Sequence, residues 1–218
     1  MTELLISTPT HGRILLRAAD SPSALLIGFH GYMENSDIQM ERLLATAGAE
    51  RWTLVSVQAL SRFYKGRTQE VVASWMTRQD REAAIADNIA YVDRVVEAVA
   101  PGRVPIVFAG FSQGVAMAFR AAMRGARRGA GVVAVGGDVP PELLKDAAIT
   151  FPPVMLARGE RDEWYTAAKL DADVAALESR GVDVEGLVYA GTHEWIDDVS
   201  HAAARFITKL TRSMRHDE

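Results

Sequence analysis

Gly110-Phe111-Ser112-Gln113-Gly114 constrains this chain more than any other stretch. The apolar run Val104-Pro105-Ile106-Val107-Phe108-Ala109 precedes it and reads as a buried strand. Small residues at helical spacing follow it, Val115-Ala116-Met117-Ala118-Phe119-Arg120-Ala121-Ala122-Met123. Strand, Gly-x-Ser-x-Gly and helix in that order form the setting of a nucleophile elbow, in which a sharp turn lifts a serine hydroxyl into a cleft. Such a turn strains the serine backbone and excludes bulk beside it, hence a glycine on each side. In a flexible loop the same pentapeptide would be an ordinary Gly/Ser turn. Its position between strand and helix favours a nucleophile.

The rest of the chain alternates in a way that suits such a fold. Two short strand-like runs, at residues 3–7 and Arg13–Arg17, are separated by a Pro-Thr-His-Gly turn. Ala24–Phe29 reads as a buried strand, and Ser36-x-x-Gln39 as a capping box opening a helix to about Gly48. A strand at residues 53–57 leads into a loop of about twenty residues, longer than the common four to six. Thr77-x-x-Asp80 resembles a second capping box, and Ile85, Ile89, Val92, Val96 and Val99 then mark an amphipathic helix. Beyond the elbow, strands are expected at Gly131–Val135, residues 153–157 and Val184–Tyr189. Ala167, Leu170, Val174 and Leu177 mark a helix that Gly181 can end, and Val199, Ala203, Phe206 and Leu210 a closing helix. Residues 214–218 are expected to fray. The pattern predicts one α/β domain over residues 1–218, a mostly parallel sheet of about eight strands with helices on both faces.

Composition narrows the chemistry. With 218 residues and 49% apolar content, the chain can build one sizeable core. Its 24 basic and 28 acidic residues are spread along the sequence, for a net charge of −4. This balance gives no electrostatic reason to expect nucleic acid as a partner, and the Arg124, Arg127, Arg128 cluster reads as a solvated helix end. The chain has no cysteine, so thiolate catalysis, disulfides and Cys-ligated zinc are excluded. No secretory signal and no window near the roughly 20 apolar residues of a membrane span is visible, so a cytoplasmic protein is expected. Neither a P-loop nor a Gly-x-Gly-x-x-Gly fingerprint is present, and no metal or organic cofactor is expected.

A serine needs a base to take its proton and a carboxylate to orient that base. In this fold the order is serine, acid, histidine, with acid and histidine in loops after later strands. Asp162 follows the strand ending at Ala157, within Gly159-Glu160-Arg161-Asp162, and His193 follows the strand ending at Tyr189. Of the five histidines, His11 lies in an early turn, His201 inside the closing helix and His216 in the tail. Asp162 leads as the acid over Glu160, Glu163 and Asp138; the last reads equally as a turn or cap residue before Pro140-Pro141. The two backbone donors an oxyanion requires are expected from Gln113 and from Tyr32, in the His30-Gly31-Tyr32 loop. His30 itself is expected to shape that loop.

Together these blocks resemble the phospholipase/carboxylesterase family of small serine hydrolases, which includes the acyl-protein thioesterases. The resemblance rests on His30-Gly31 with Asn35 and Asp37, on the Gly-Phe-Ser-Gln-Gly elbow, on Gly159-x-x-Asp162 and on His193-Glu194. Trp75 matches a tryptophan the family carries in the loop before the second long helix. Val115 stands where the family often has a second glycine after the elbow, and Met76-Thr77 where it often has Phe-Asp. Both departures bear on the substrate rather than on the reaction.

The expected reaction is hydrolysis of a small-molecule carboxylic ester or thioester through an acyl-enzyme on Ser112. About sixteen residues separate the sixth and seventh strands, too few for a cap domain, so an open cleft is expected. Phe63, Tyr64 and Trp75 from the long loop are the expected roof, with Met33 and Val115 adding an apolar wall against a short or medium acyl group. The alternatives are a lactonase, a carbon–carbon hydrolase or an acyltransferase with the same triad, or a catalytically silent binding protein.

Overall fold

The computed structural model describes residues 1–46, 48–100, 102 and 104–216. Its central sheet has seven strands: β1 (Arg13–Arg17), β2 (Ala24–Phe29), β3 (Trp52–Gln58), then β6 (Ile106–Phe111), β7 (Gly131–Val135), β8 (Val154–Gly159) and β9 (Val184–Tyr189). Between β3 and β6 in the chain lies a separate hairpin of β4 (Ser61–Tyr64) and β5 (Val71–Ser74). The sheet order is β1-β3-β2-β6-β7-β8-β9, with β1 antiparallel to β3 and all other pairs parallel. The elbow strand β6 is therefore the middle strand.

Every residue of β2, β3, β6, β7 and β8 is buried, as two-sided helix cover requires, whereas β1 and β9 are partly exposed edges. Successive residues feed opposite faces. Leu25, Ile27, Phe108, Val132, Ala134 and Leu156 pack into one apolar cluster with helices α2 (Arg81–Val99), α3 (Gln113–Arg124) and α5 (Ala167–Glu178). Leu26, Val107, Ala109, Val133, Val135 and Met155 pack into the other, with α1 (Ser36–Ala45) and α6 (Asp197–His216). The connection from β7 to β8 carries only the four-residue helix α4 (Pro141–Leu144), and no cap domain.

The sheet has one strand fewer than expected because residues 3–7 stay outside it, with Leu4, Leu5 and Ile6 exposed. Side chains take the carbonyls near the start of β1 instead: Arg62 donates to His11 and the Tyr91 hydroxyl to Arg13. Neither expected capping box forms. The cap of α1 is Asn35, whose Oδ1 accepts from the Asp37 and Ile38 amides, while Ser36 is tied to β3 through Gln58 and Ser56. Asp80, ahead of α2, sits at φ +50° with no side-chain cap. The long loop holds the β4–β5 hairpin, turned at Gly66 with φ +54°. Gly181, at φ +74°, ends the α5 segment as expected. α6 stays helical to His216, against the fraying expected from residue 214, and residues 217–218 lie outside the described ones.

Candidate active site

Ser112 sits at the junction of β6 and α3 with φ +52° and ψ −118°, a conformation a serine adopts only when its surroundings enforce it. Its amide donates to the Val135 carbonyl at 2.8 Å, anchoring the turn to the neighbouring strand. The flanking glycines are steric necessities. A Cβ on Gly110 would lie 2.4 Å from the Gly114 carbonyl oxygen, and one on Gly114 2.2 Å from that of Phe29.

Two later loops complete the arrangement. His193 Nε2 lies 2.9 Å from Ser112 Oγ, and His193 Nδ1 lies 2.9 Å from Asp162 Oδ2. The Asp162 carboxylate is fully buried, while the imidazole is 23% exposed and open toward solvent. Asp162 Oδ1 accepts from the Trp164 and Tyr165 amides, both at 2.9 Å, so the loop folds around the carboxylate that faces the imidazole. The two loops touch at Gly159, where a Cβ would stand 2.1 Å from the Thr192 carbonyl oxygen. Glu194 shapes the His193 loop by accepting from the Thr192 amide and hydroxyl. Of the competing acids, Asp138 is instead paired with Lys169 at 3.2 Å, and Glu160 and Glu163 are exposed.

Of the two expected amide donors, Gln113 follows Ser112 in the elbow and Tyr32 lies in the loop after β2. Among the described residues, neither the Tyr32 nor the Gln113 amide is committed to a turn, cap or side-chain acceptor, whereas the Met33 amide donates to Ala73 at 3.2 Å. The Gln113 side chain faces the other way. It accepts from the Trp75 amide at 2.9 Å and donates to the Met76 carbonyl at 3.0 Å, holding the segment after β5 against α3.

His30 is fully buried and shapes its loop. Its Nε2 accepts from the Ala59 amide at 3.1 Å, so its proton is on Nδ1, donated to the Gly31 carbonyl at 2.7 Å. Burial lowers its pKa and keeps the ring neutral. Glu34 is a loop residue the sequence did not single out. It accepts from the Gly31 amide at 2.7 Å and is gripped by Arg42, which stacks 4.2 Å from the centre of the Phe111 ring; Phe111 in turn lies 5.0 Å from the His193 ring. An acid eight positions before an arginine, across a helix start, was the only available sign.

The expected pocket walls are not where the cleft is. Trp75 is buried against Phe29 and His30, donating its indole N–H to the His30 carbonyl, and Val115 is core beneath Gly137. Large β-adjacent aromatics bury whenever core volume allows, and this one also satisfies its N–H there. Phe63 packs on Tyr32 with ring centres 6.0 Å apart, Tyr64 is exposed, and Met33 is half-buried at φ +60°. The cleft beside Ser112 holds about 380 Å³ and is lined instead by Met76, α3, the loop after β7 and Trp164. Among the described residues no cluster of histidines and carboxylates could hold a metal ion.

This geometry can deliver an oxygen nucleophile to a carbonyl carbon, accept its proton and stabilise the resulting cation. A family model for phospholipase/carboxylesterase matches residues 13–211. No curated protein matches the chain in sequence. Among solved structures it is similar to esterase PE8, with 21% identity, TM-score 0.74, and 91% of this chain against 98% of that one covered. Acyl-protein thioesterase 2 of Zea mays shares 17% identity at TM-score 0.72, covering 92% and 100%. The Bacillus cereus carboxylesterase shares 15% at 0.72, covering 91% and 94%. At such identities these likenesses speak to the fold.

Proposed function

The chain belongs to the phospholipase/carboxylesterase family, and from that premise we propose that it works as one domain hydrolysing carboxylic esters or thioesters through an acyl-enzyme on Ser112. The observation that carries the reading is the unbroken line from Ser112 Oγ through both imidazole nitrogens of His193 to the buried Asp162 carboxylate.

Asp162 accepts the Nδ1 proton of His193, which leaves Nε2 as the free base facing the serine. As Ser112 Oγ bonds to the ester carbon, its proton passes to Nε2. The carbonyl π electrons move to oxygen, and that oxyanion is met by the Gln113 and Tyr32 amides. Collapse expels the alcohol or thiol, which takes the proton from Nε2. Water then gives its proton to the same nitrogen and attacks the acyl carbon; collapse returns that proton to Oγ and releases the acid. Every step uses groups of this chain and water. A silent binding protein would have no need of a serine held at φ +52°.

Labelling by a fluorophosphonate probe tests this directly. The wild-type protein is expected to label stoichiometrically and Ser112→Ala not at all. A folded wild-type protein that resists the probe and leaves p-nitrophenyl esters intact would refute the proposal.

A further inference from the structure

Three cationic side chains, Arg81, Arg120 and Lys169, line the cleft beside Ser112, against one carboxylate, Asp138. The hydrolytic steps above use none of them. Gln113, Ala116 and Arg120 stand at spacings of three and four on α3 and so share one helix face, the cleft floor. At the helical rise, the Arg120 backbone is about 12 Å from Ser112 along α3. Long helical side chains lean toward the helix N-terminus, which brings the guanidinium back over the small Ala116 toward the reacting end.

Arg120 is 1% exposed, and a buried cation is tolerated only when matched. Its Nε and Nη2 both donate to Glu142 Oε1, at 2.8 and 2.6 Å. Among the described residues its Nη1 meets only the Met76 sulfur, at 3.5 Å, a weak acceptor. Arg81 shares the same carboxylate, its Nη2 being 3.9 Å from Glu142 Oε2. Two guanidiniums thus face one carboxylate, while Lys169 and Asp138 cancel each other at 3.2 Å. Anchoring α4 through Glu142 accounts for Nε and Nη2 of Arg120. It does not account for a second guanidinium, nor for a buried Nη1 without an oxygen partner at the edge of a cavity.

We propose that the substrate is an ester bearing a carboxylate, which docks at Arg120 and Arg81 while the ester carbonyl lies at Ser112. Dicarboxylic half-esters carry both groups in one molecule. Trp164, 75% exposed at the cleft mouth, offers an apolar face to the part that remains outside. The inference rests on the serine-esterase reading and adds the charge of the substrate to it.

The test compares kcat/KM, by acid release, within size-matched pairs that differ by one negative charge. Monomethyl glutarate against methyl pentanoate places the carboxylate on the acyl side. 4-Acetoxybenzoate against 4-acetoxybenzamide places it on the leaving group. In one of the pairs the anionic member is expected to be preferred by about tenfold or more, the usual worth of a charge-assisted contact. That preference is expected to shrink severalfold in Arg81→Gln, in Arg120→Lys and at high salt. Equal or better turnover of both neutral members, or a preference that survives both substitutions, overturns the carboxylate subsite. Fluorophosphonate labelling of Ser112 separates the two levels. A labelled enzyme that prefers neutral esters loses only the subsite, whereas an unlabelled and inert protein loses the esterase reading itself.

Discussion

Arg42 grips both carboxylate oxygens of Glu34, each at 2.7 Å, at the point where Glu34 also accepts the Gly31 amide. Burial pushes the Glu34 carboxyl upward, but the Arg42 fork and the Gly31 amide outweigh it and leave its pKa below the usual 4.5. The pair thereby fixes the loop after β2, which carries Tyr32. Glu34→Gln is expected to lower stability by about 2 kcal/mol, because Arg42 is left half-paired and largely buried. Since the folded carboxyl is the stronger acid, its contribution is whole above pH 4.5 and lost as pH falls through the lower folded value. Thermal melting of wild type and Glu34→Gln from pH 7 to pH 3 checks both points; the gap between them should close on the acid side.

Asp162→Asn is expected to keep the fold and lose the reaction. The asparagine Oδ1 can still accept from the Trp164 and Tyr165 amides, but its amide N–H would face His193 Nδ1 and impose the wrong tautomer. A fall in kcat of about three to four orders of magnitude with a nearly unchanged melting temperature is the expected outcome, read from ester hydrolysis and calorimetry.

Gly159→Ala tests the meeting of the two loops. Its Cβ would fall 2.1 Å from the Thr192 carbonyl, and backbone must shift to admit it. Overpacking of this kind costs about 1–3 kcal/mol. Activity should fall further than stability, since the shift separates His193 from Asp162. Denaturant unfolding alongside the fluorophosphonate labelling rate distinguishes the two effects.

Asp173 supplies a second pH probe with the opposite sign. It is buried and accepts from the Tyr165 hydroxyl at 2.9 Å and the Val139 amide at 3.1 Å, both on Oδ2. Burial, above all, raises its pKa from the usual 3.8. Such a group favours folding most below 3.8 and progressively less as pH rises through its folded value. Asp173→Asn keeps an acceptor oxygen for both donors and removes the charge. Its unfolding free energy is expected to decline less than that of wild type between pH 4 and pH 8, as measured by urea titration.

The elements that sequence made legible are those fixed by local pattern. The strand limits at Ala24–Phe29 and Gly131–Val135 follow from bounded apolar runs, and chain order around the strands singles out Ser112, Asp162 and His193, which the structure brings within hydrogen-bond distance of one another. What escaped was set by partners distant in sequence. Residues 3–7 look like a strand, yet β1, paired with the distant β3, forms the sheet edge and leaves them exposed. Ser36 looks like a cap, yet Gln58 claims its amide and Asn35 does the capping. Trp75 and Val115 lie near the expected pocket in sequence but face the core. The cleft draws Arg81, Arg120, Trp164 and Lys169 from three helices and a loop, and no spacing along the chain announces that convergence.

The elbow is moored by one amide to β7 and flanked by four fully buried strands. A side chain mounted at the centre of the sheet is insulated from change at the margins. Substitutions around Met76, Asp138 or Trp164 can redraw what is admitted while leaving Ser112 Oγ where it was.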